Sequence, residues 1–142
     1  MDDETTWWFF ALLSAFFAAL TTIFAKVGVE NVDSNLATAI RTVIILAIAW
    51  GIVWVNGQFQ AILTISPKTL LFLILSGVAT GLSWLCYFRA LQIGNASLVA
   101  PVDKSGLILV LWLSILFLGE PLTLRVVAGT VLVLVGTLVL IL

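Results

Sequence analysis

The chain has 142 residues, 63% hydrophobic and only 9% charged, with six Lys+Arg against seven Asp+Glu and no histidine. A soluble domain of this length has too much surface for its volume to hide so much apolar side chain. A formal charge of −1 offers neither the polar excess of a disordered chain nor the basic stripe of a nucleic-acid binder, which leaves an all-α, polytopic membrane protein.

The opening "MDDETTWWFF" is acidic and lacks the positive n-region of a secretory signal. The apolar run that follows is too long to be only a signal core. Five such runs are counted between breakers, at about 7–28, 36–55, 69–94, 98–118 and 122–142. Each holds about 20 residues, enough at ~1.5 Å per residue to cross ~30 Å of hydrocarbon. Backbone groups in lipid must bond internally, so the runs are expected to be helices, and the lack of strict alternation argues against a barrel.

The first run carries Ser14, Ala18, Thr21, Ala25 and Gly28 on one small face. "VENVDSN" then places Glu30 and Asp33 in water, with Ser34 or Asn35 as the expected cap of the second helix. "NGQFQAILTISPK" reads as a longer interfacial connection, Pro67 opening the third helix. "GNAS" is a tight turn with Ser97 as the expected cap of the fourth. "GEPLT" ends that helix at Gly119 and restarts the chain after Pro121. Trp7, Trp8, Trp50, Trp54 and Trp112 suit an aromatic belt near helix ends. No linker is long enough to divide residues 1–142 into two domains.

Five spans put the termini on opposite sides of the membrane. Lys26, Arg41, Arg89 and Lys104 fall toward the far side from the N-terminus, Lys68 and Arg125 toward the near side. The positive-inside rule then makes the far side cytoplasmic, by a small bias that leaves topology open. At that level three helices deliver charge. Asp103 lies ~8 Å below the surface in helix four, Arg41 at similar depth in helix two, and Arg89 near the end of helix three. Neighbours on a helix point ~100° apart, so Asp103 is expected to find Arg41 or Arg89 rather than Lys104. An unpaired carboxylate there would become protonated or cost several kcal/mol. Three readings of Asp103 stay open: a structural ion pair, a coupling or substrate role, and contact with near-surface water. Lys26 and Lys104 are expected to snorkel to headgroups. Since cations outnumber anions in this layer, an anionic or zwitterionic solute would complete it.

Ser76, Thr80, Ser83 and Tyr87 put four hydroxyls on one face of helix three, beside Gly77 and Gly81. That face either lines a polar path or uses its hydroxyls to bond its own backbone. Gly129 with Gly136, and Thr130 with Thr137, form a packing surface on helix five. Pro101 marks either the start of helix four or an interruption at binding depth. Neither histidine nor a second cysteine beside Cys86 is present. The usual catalytic constellations are therefore missing, and no enzyme, metal or cofactor is expected.

"YFRAL", "NASLVAP" and "LFLGEPLT" with the glycine-spaced last helix, preceded by "AKVGVENVDSNLATAIRTVIILA", resemble an EamA domain of the drug/metabolite transporter superfamily over nearly the whole chain. The resemblance implies a five-helix unit. Most members carry two such units, inverted relative to each other, and export metabolites, amino acids or drugs by alternating access. This chain has one unit, so the implied partner is a second copy in the opposite orientation, as in the similar small multidrug resistance proteins. The implied location is a prokaryotic cytoplasmic membrane, and the implied ligand a small-molecule solute. Two features depart from the pattern. Asp103 and Lys104 stand where many relatives are uncharged. The helix-one glutamate of the small multidrug resistance proteins is missing, with Ser14, Thr21 and Thr22 as the polar groups there. In this reading Ser14, Thr21, Ser76, Thr80, Ser83 and Tyr87 line the path, Arg41, Arg89, Asp103 and Lys104 form a gate or coupling network, and Pro101 loosens helix four. The alternatives are a non-transporting scaffold or accessory subunit, and handling of a lipid-like substrate.

Overall fold

The computed structural model describes residues 6–142, so the acidic start, residues 1–5, lies outside the described residues. Regular structure among the described residues is helical. The order is α1 (Trp7–Gly28), α2 (Ser34–Val55), a 3-10 segment (Gln58–Thr64), α3 (Pro67–Ile93), α4 (Ala96–Lys104), α5 (Leu107–Leu113), a π segment (Ser114–Leu118) and α6 (Leu124–Ile141). Among the described residues five stretches are long and apolar enough to span a membrane: Trp7–Gly28, Ser34–Val55, Pro67–Ile93, Ala96–Leu118 and Leu124–Ile141. Each expected run matches one of these to within two residues at either end. The chain is an integral membrane protein, and its many exposed apolar side chains, the five belt tryptophans among them, face a medium that does not penalise them.

The helix ends follow from local chemistry, with two corrections. Asp33, rather than Ser34 or Asn35, caps α2: its Oδ1 accepts from the backbone N–H of Asn35 at 2.9 Å and Leu36 at 3.2 Å. A carboxylate is the better acceptor for the positive end of a helix. At α4 the cap position falls to Asn95 rather than Ser97, and no side chain bonds the helix start. As expected, α3 opens at Pro67, where a missing N–H is no loss. Thr123 accepts from Val126 N–H at 3.3 Å to start α6. Gly119 ends the fourth span with φ 65°, a left-handed cap that suits glycine.

The fourth span is not one helix, as its sequence run suggests. It breaks at Ser105–Gly106, between α4 and α5, four residues beyond Pro101, which lies inside α4. Ser105 N–H turns to the carbonyl of Val102 at 3.0 Å, so Pro101's carbonyl loses its usual i+4 donor. Thr137 of α6 replaces it: its hydroxyl is shared between the carbonyls of Val133, at 2.9 Å, and Pro101, at 3.3 Å. Thr137 is only 4% exposed, and in lipid such a carbonyl has no other source of a donor.

The chain packs as two compact units, Ile23–Ile93 and the stretch up to Thr22 together with Gly94–Leu142. In the second of these, α4 and α5 pack on α6. In the first, α2 packs along α3, and the buried residues Ala25, Val29, Ser34, Thr38, Phe88 and Leu91 gather where the end of α1, the start of α2 and the end of α3 meet.

Candidate functional site

The buried end of the Ile23–Ile93 unit carries the polar chemistry. α3 ends here, and its last carbonyls have no intrahelical donor. Lys26, in the last turn of α1, donates to the carbonyl of Leu91 at 2.7 Å. It thus turns into the protein instead of snorkelling, because orphan carbonyls and the negative helix end attract an ammonium. Next to it, the Gln92 amide donates to the carbonyls of Val32 at 2.9 Å and Val29 at 3.4 Å, while its Oε1 accepts from Arg89 at 2.7 Å. Only this orientation of the amide serves all three partners. Gln92 therefore clamps the α1–α2 loop to the end of α3. Sequence reasoning passed over it, since a glutamine near a helix end has no pattern of its own.

Arg41, on α2, is half-buried. Its guanidinium lies over the rings of Trp84, 4.6 Å from the centroid, and Phe88, at 5.0 Å, one turn apart on α3. Tyr87 is close enough to interact with it electrostatically. The hydroxyl series Ser76, Thr80, Ser83 and Tyr87 thus runs along α3 to Arg41. Ser76, Thr80 and Ser83 are exposed and Tyr87 half-buried. Thr80 bonds the carbonyl of Ser76 at 2.8 Å, the backbone use foreseen for such residues. Methyl groups placed on Gly77 or Gly81 would meet, beyond their own helical turns, nothing within 4 Å among the described residues, and the same holds for Gly129 and Gly136. On α1, Ser14 is exposed and Thr21 half-buried.

The expected charged layer is thus built differently. Lys26, Arg41 and Arg89 do share one end of the Ile23–Ile93 unit, as read from the sequence. Their contacts there are a carbonyl, two aromatic rings and an amide. Asp103 pairs with its neighbour Lys104 at 3.1 Å, the pairing that helix geometry argued against. The reason is that α4 stops at Lys104, so the flexible lysine stem swings back around the helix end. Both side chains are well exposed, 39% for Asp103 and 60% for Lys104. Between α5, the π segment and α6 lies a pocket of about 360 Å³, lined by Ile108, Leu111, Trp112 and Ile115 against Val131 and Leu134. Thr130 is the polar residue on its wall, and that hydroxyl is engaged with the carbonyl of Val126 at 2.9 Å. The pocket is apolar and holds none of the expected path residues.

Comparison with known proteins places the chain. The model of the EamA-like transporter family matches residues 5–142. The "Uncharacterized transporter in cobO 3'region" of Sinorhizobium sp is 52% identical over 135 residues, covering 95% of this chain and 96% of that protein. "Uncharacterized protein MJ1333.1" of Methanocaldococcus jannaschii is 33% identical over 135 residues, 91% of each. No solved structure matches the chain significantly. A five-span helical chain matched over nearly its full length in this way belongs to the EamA-like transporter family, as a single EamA domain of the drug/metabolite transporter superfamily.

Proposed function

We propose that two copies of the chain, in opposed orientations, form a secondary transporter that moves a small organic solute by alternating access across a prokaryotic cytoplasmic membrane. The observation that carries this reading is the bare polar face of α3. Ser76, Thr80 and Ser83 are exposed at membrane depth, and the adjacent Gly77 and Gly81 have open space before them. A second copy closing on the glycine seam would cover the face and leave a hydroxyl-lined path, with Thr80 held by its own helix. The Sinorhizobium relative, itself named a transporter, supports the class. The break at Ser105–Gly106 gives the fourth span a joint for switching between access states.

The test joins assembly to transport. With Cys86 replaced by serine, single cysteines at Ser76 and Ser83 are crosslinked in native membranes, and the same proteins are assayed in proteoliposomes against labelled amino acids, organic acids and cationic dyes. Expected are crosslinked dimers and flux of at least one solute above protein-free vesicles, both lost in Gly77→Leu. A monomer that moves nothing in the panel refutes the proposal and leaves the scaffold reading.

A further inference from the structure

We propose that Arg41 is an oxyanion-binding residue, whose guanidinium, held by Trp84 and Phe88, takes the carboxylate or phosphate group of a ligand. The inference rests on the transport reading for its meaning, since it names the transported solute as anionic.

A guanidinium has two faces and a planar edge of five N–H donors. Here Trp84 and Phe88 lie with their ring centroids 4.6 and 5.0 Å from the Arg41 guanidinium carbon, and these rings are its neighbours. Within the unit no carboxylate pairs with the edge and no oxygen accepts from it. Arg41 stands seven residues beyond the start of α2 at Ser34, about 10 Å along the helix at the standard rise, where water is a poor substitute.

Within the Ile23–Ile93 unit the acidic side chains are otherwise placed. Asp33 is committed to capping α2, and Glu30 is exposed in the loop. The neighbouring cations are committed too, Lys26 to the carbonyl of Leu91 and Arg89 to Gln92. Three positive charges near the last turns of α3 thus raise the local potential, and Arg41 is the one of them whose side chain bonds nothing within the unit. The aromatic pair restrains the guanidinium, which lowers the entropy lost when a ligand engages it. A planar fork of donors matches a carboxylate or phosphate through two parallel bonds, and the hydroxyl series of α3 leads to it through Tyr87.

The test is binding, read without transport. Full-length protein in detergent micelles is titrated with succinate, with inorganic phosphate and with chloride at matched ionic strength, following thermal unfolding; a parallel arm compares nanodiscs of phosphatidylcholine with and without phosphatidylglycerol. The wild type is expected to be stabilised by oxyanions and not by chloride. Arg41→Gln should abolish the effect. Arg41→Lys, which keeps the charge and loses the fork, should weaken binding about 10- to 100-fold, the loss of one to two charge-assisted bonds, and it carries the test if the glutamine variant does not fold. Stabilisation by phosphatidylglycerol alone would keep the oxyanion site and assign it to a lipid headgroup, overturning the anionic solute. Equal stabilisation of Arg41→Gln and wild type, or none by any oxyanion, overturns the site. Binding without flux would retain the site and remove the transport reading, whereas flux confined to neutral or cationic solutes without oxyanion binding would do the reverse.

Discussion

Replacing Gln92 by leucine tests whether the end of α3 is held by a clamp or merely packed. The leucine keeps the volume and removes every bond. The 2.9 Å bond to Val32 is a full neutral hydrogen bond, worth about 1 kcal/mol net. The contact with Val29 reaches 3.4 Å and adds less, but the carbonyl it leaves belongs to a residue only 1% exposed. The bond from Arg89 is on the exposed side and is worth about 0–1 kcal/mol once solvent is counted. The sum is about 2 kcal/mol, or about 30-fold in the opening equilibrium of the loop. Hydrogen–deuterium exchange over residues 29–37 reads that opening directly. Gln92→Glu separates the parts: it strengthens the link to Arg89 but has no donor for the two carbonyls, so it should exchange like the leucine variant. Exchange at the wild-type rate in both variants would refute the clamp.

Lys26→Met keeps the stem and removes the ammonium that bonds Leu91 at 2.7 Å; a loss of about 1–2 kcal/mol is expected, seen as a lower thermal midpoint in micelles. Thr137→Val leaves the Pro101 carbonyl without its donor, and since such bonds in membrane proteins average about 0.6 and reach about 1.7 kcal/mol, exchange at residues 105–109 should rise several-fold while the rest of the chain is unchanged. Gly119→Ala forces a side chain into φ 65°, at about 1–2 kcal/mol, again read in the thermal midpoint. Asp103→Asn should change stability by less than about 1 kcal/mol, because its ion pair with Lys104 is exposed; a larger fall in the thermal midpoint would refute that.

What the sequence made legible was whatever depends on length and on one residue's chemistry. The five runs mark the five spans because crossing hydrocarbon demands apolar length, and Gly119 and Pro67 mark ends because their backbones allow little else. The break in the fourth span falls at Ser105–Gly106, whereas the sequence points to Pro101; that proline lies inside α4, which continues past it to Lys104. A distant partner for Asp103 follows only from the geometry of a continuous helix, and the helix is not continuous there. Gln92 and Trp84 stayed invisible for another reason. Their roles lie in what α1 and α2 bring to them across more than 40 residues of chain, which no spacing within α3 encodes.

The distribution of buried groups explains why the site sits where it does. Between helices in lipid there is no hydrophobic drive, so cohesion must come from close packing and from polar groups that lipid cannot serve. In the Ile23–Ile93 unit those groups are concentrated at one end: orphan carbonyls of α3, the carbonyls of the α1–α2 loop, and the donors of Lys26, Gln92 and Arg89 that meet them. Lys26 and Gln92 spend their donors in joining one helix or loop to another, and Arg89 bonds Gln92 on its own helix. Arg41 contributes to cohesion through its contact with two rings of α3, and within the unit its hydrogen-bonding edge is available. A residue that can hold the fold with one part and present a charge with another is suited to a transporter, because binding a ligand there need not dismantle the packing that keeps the helices in place.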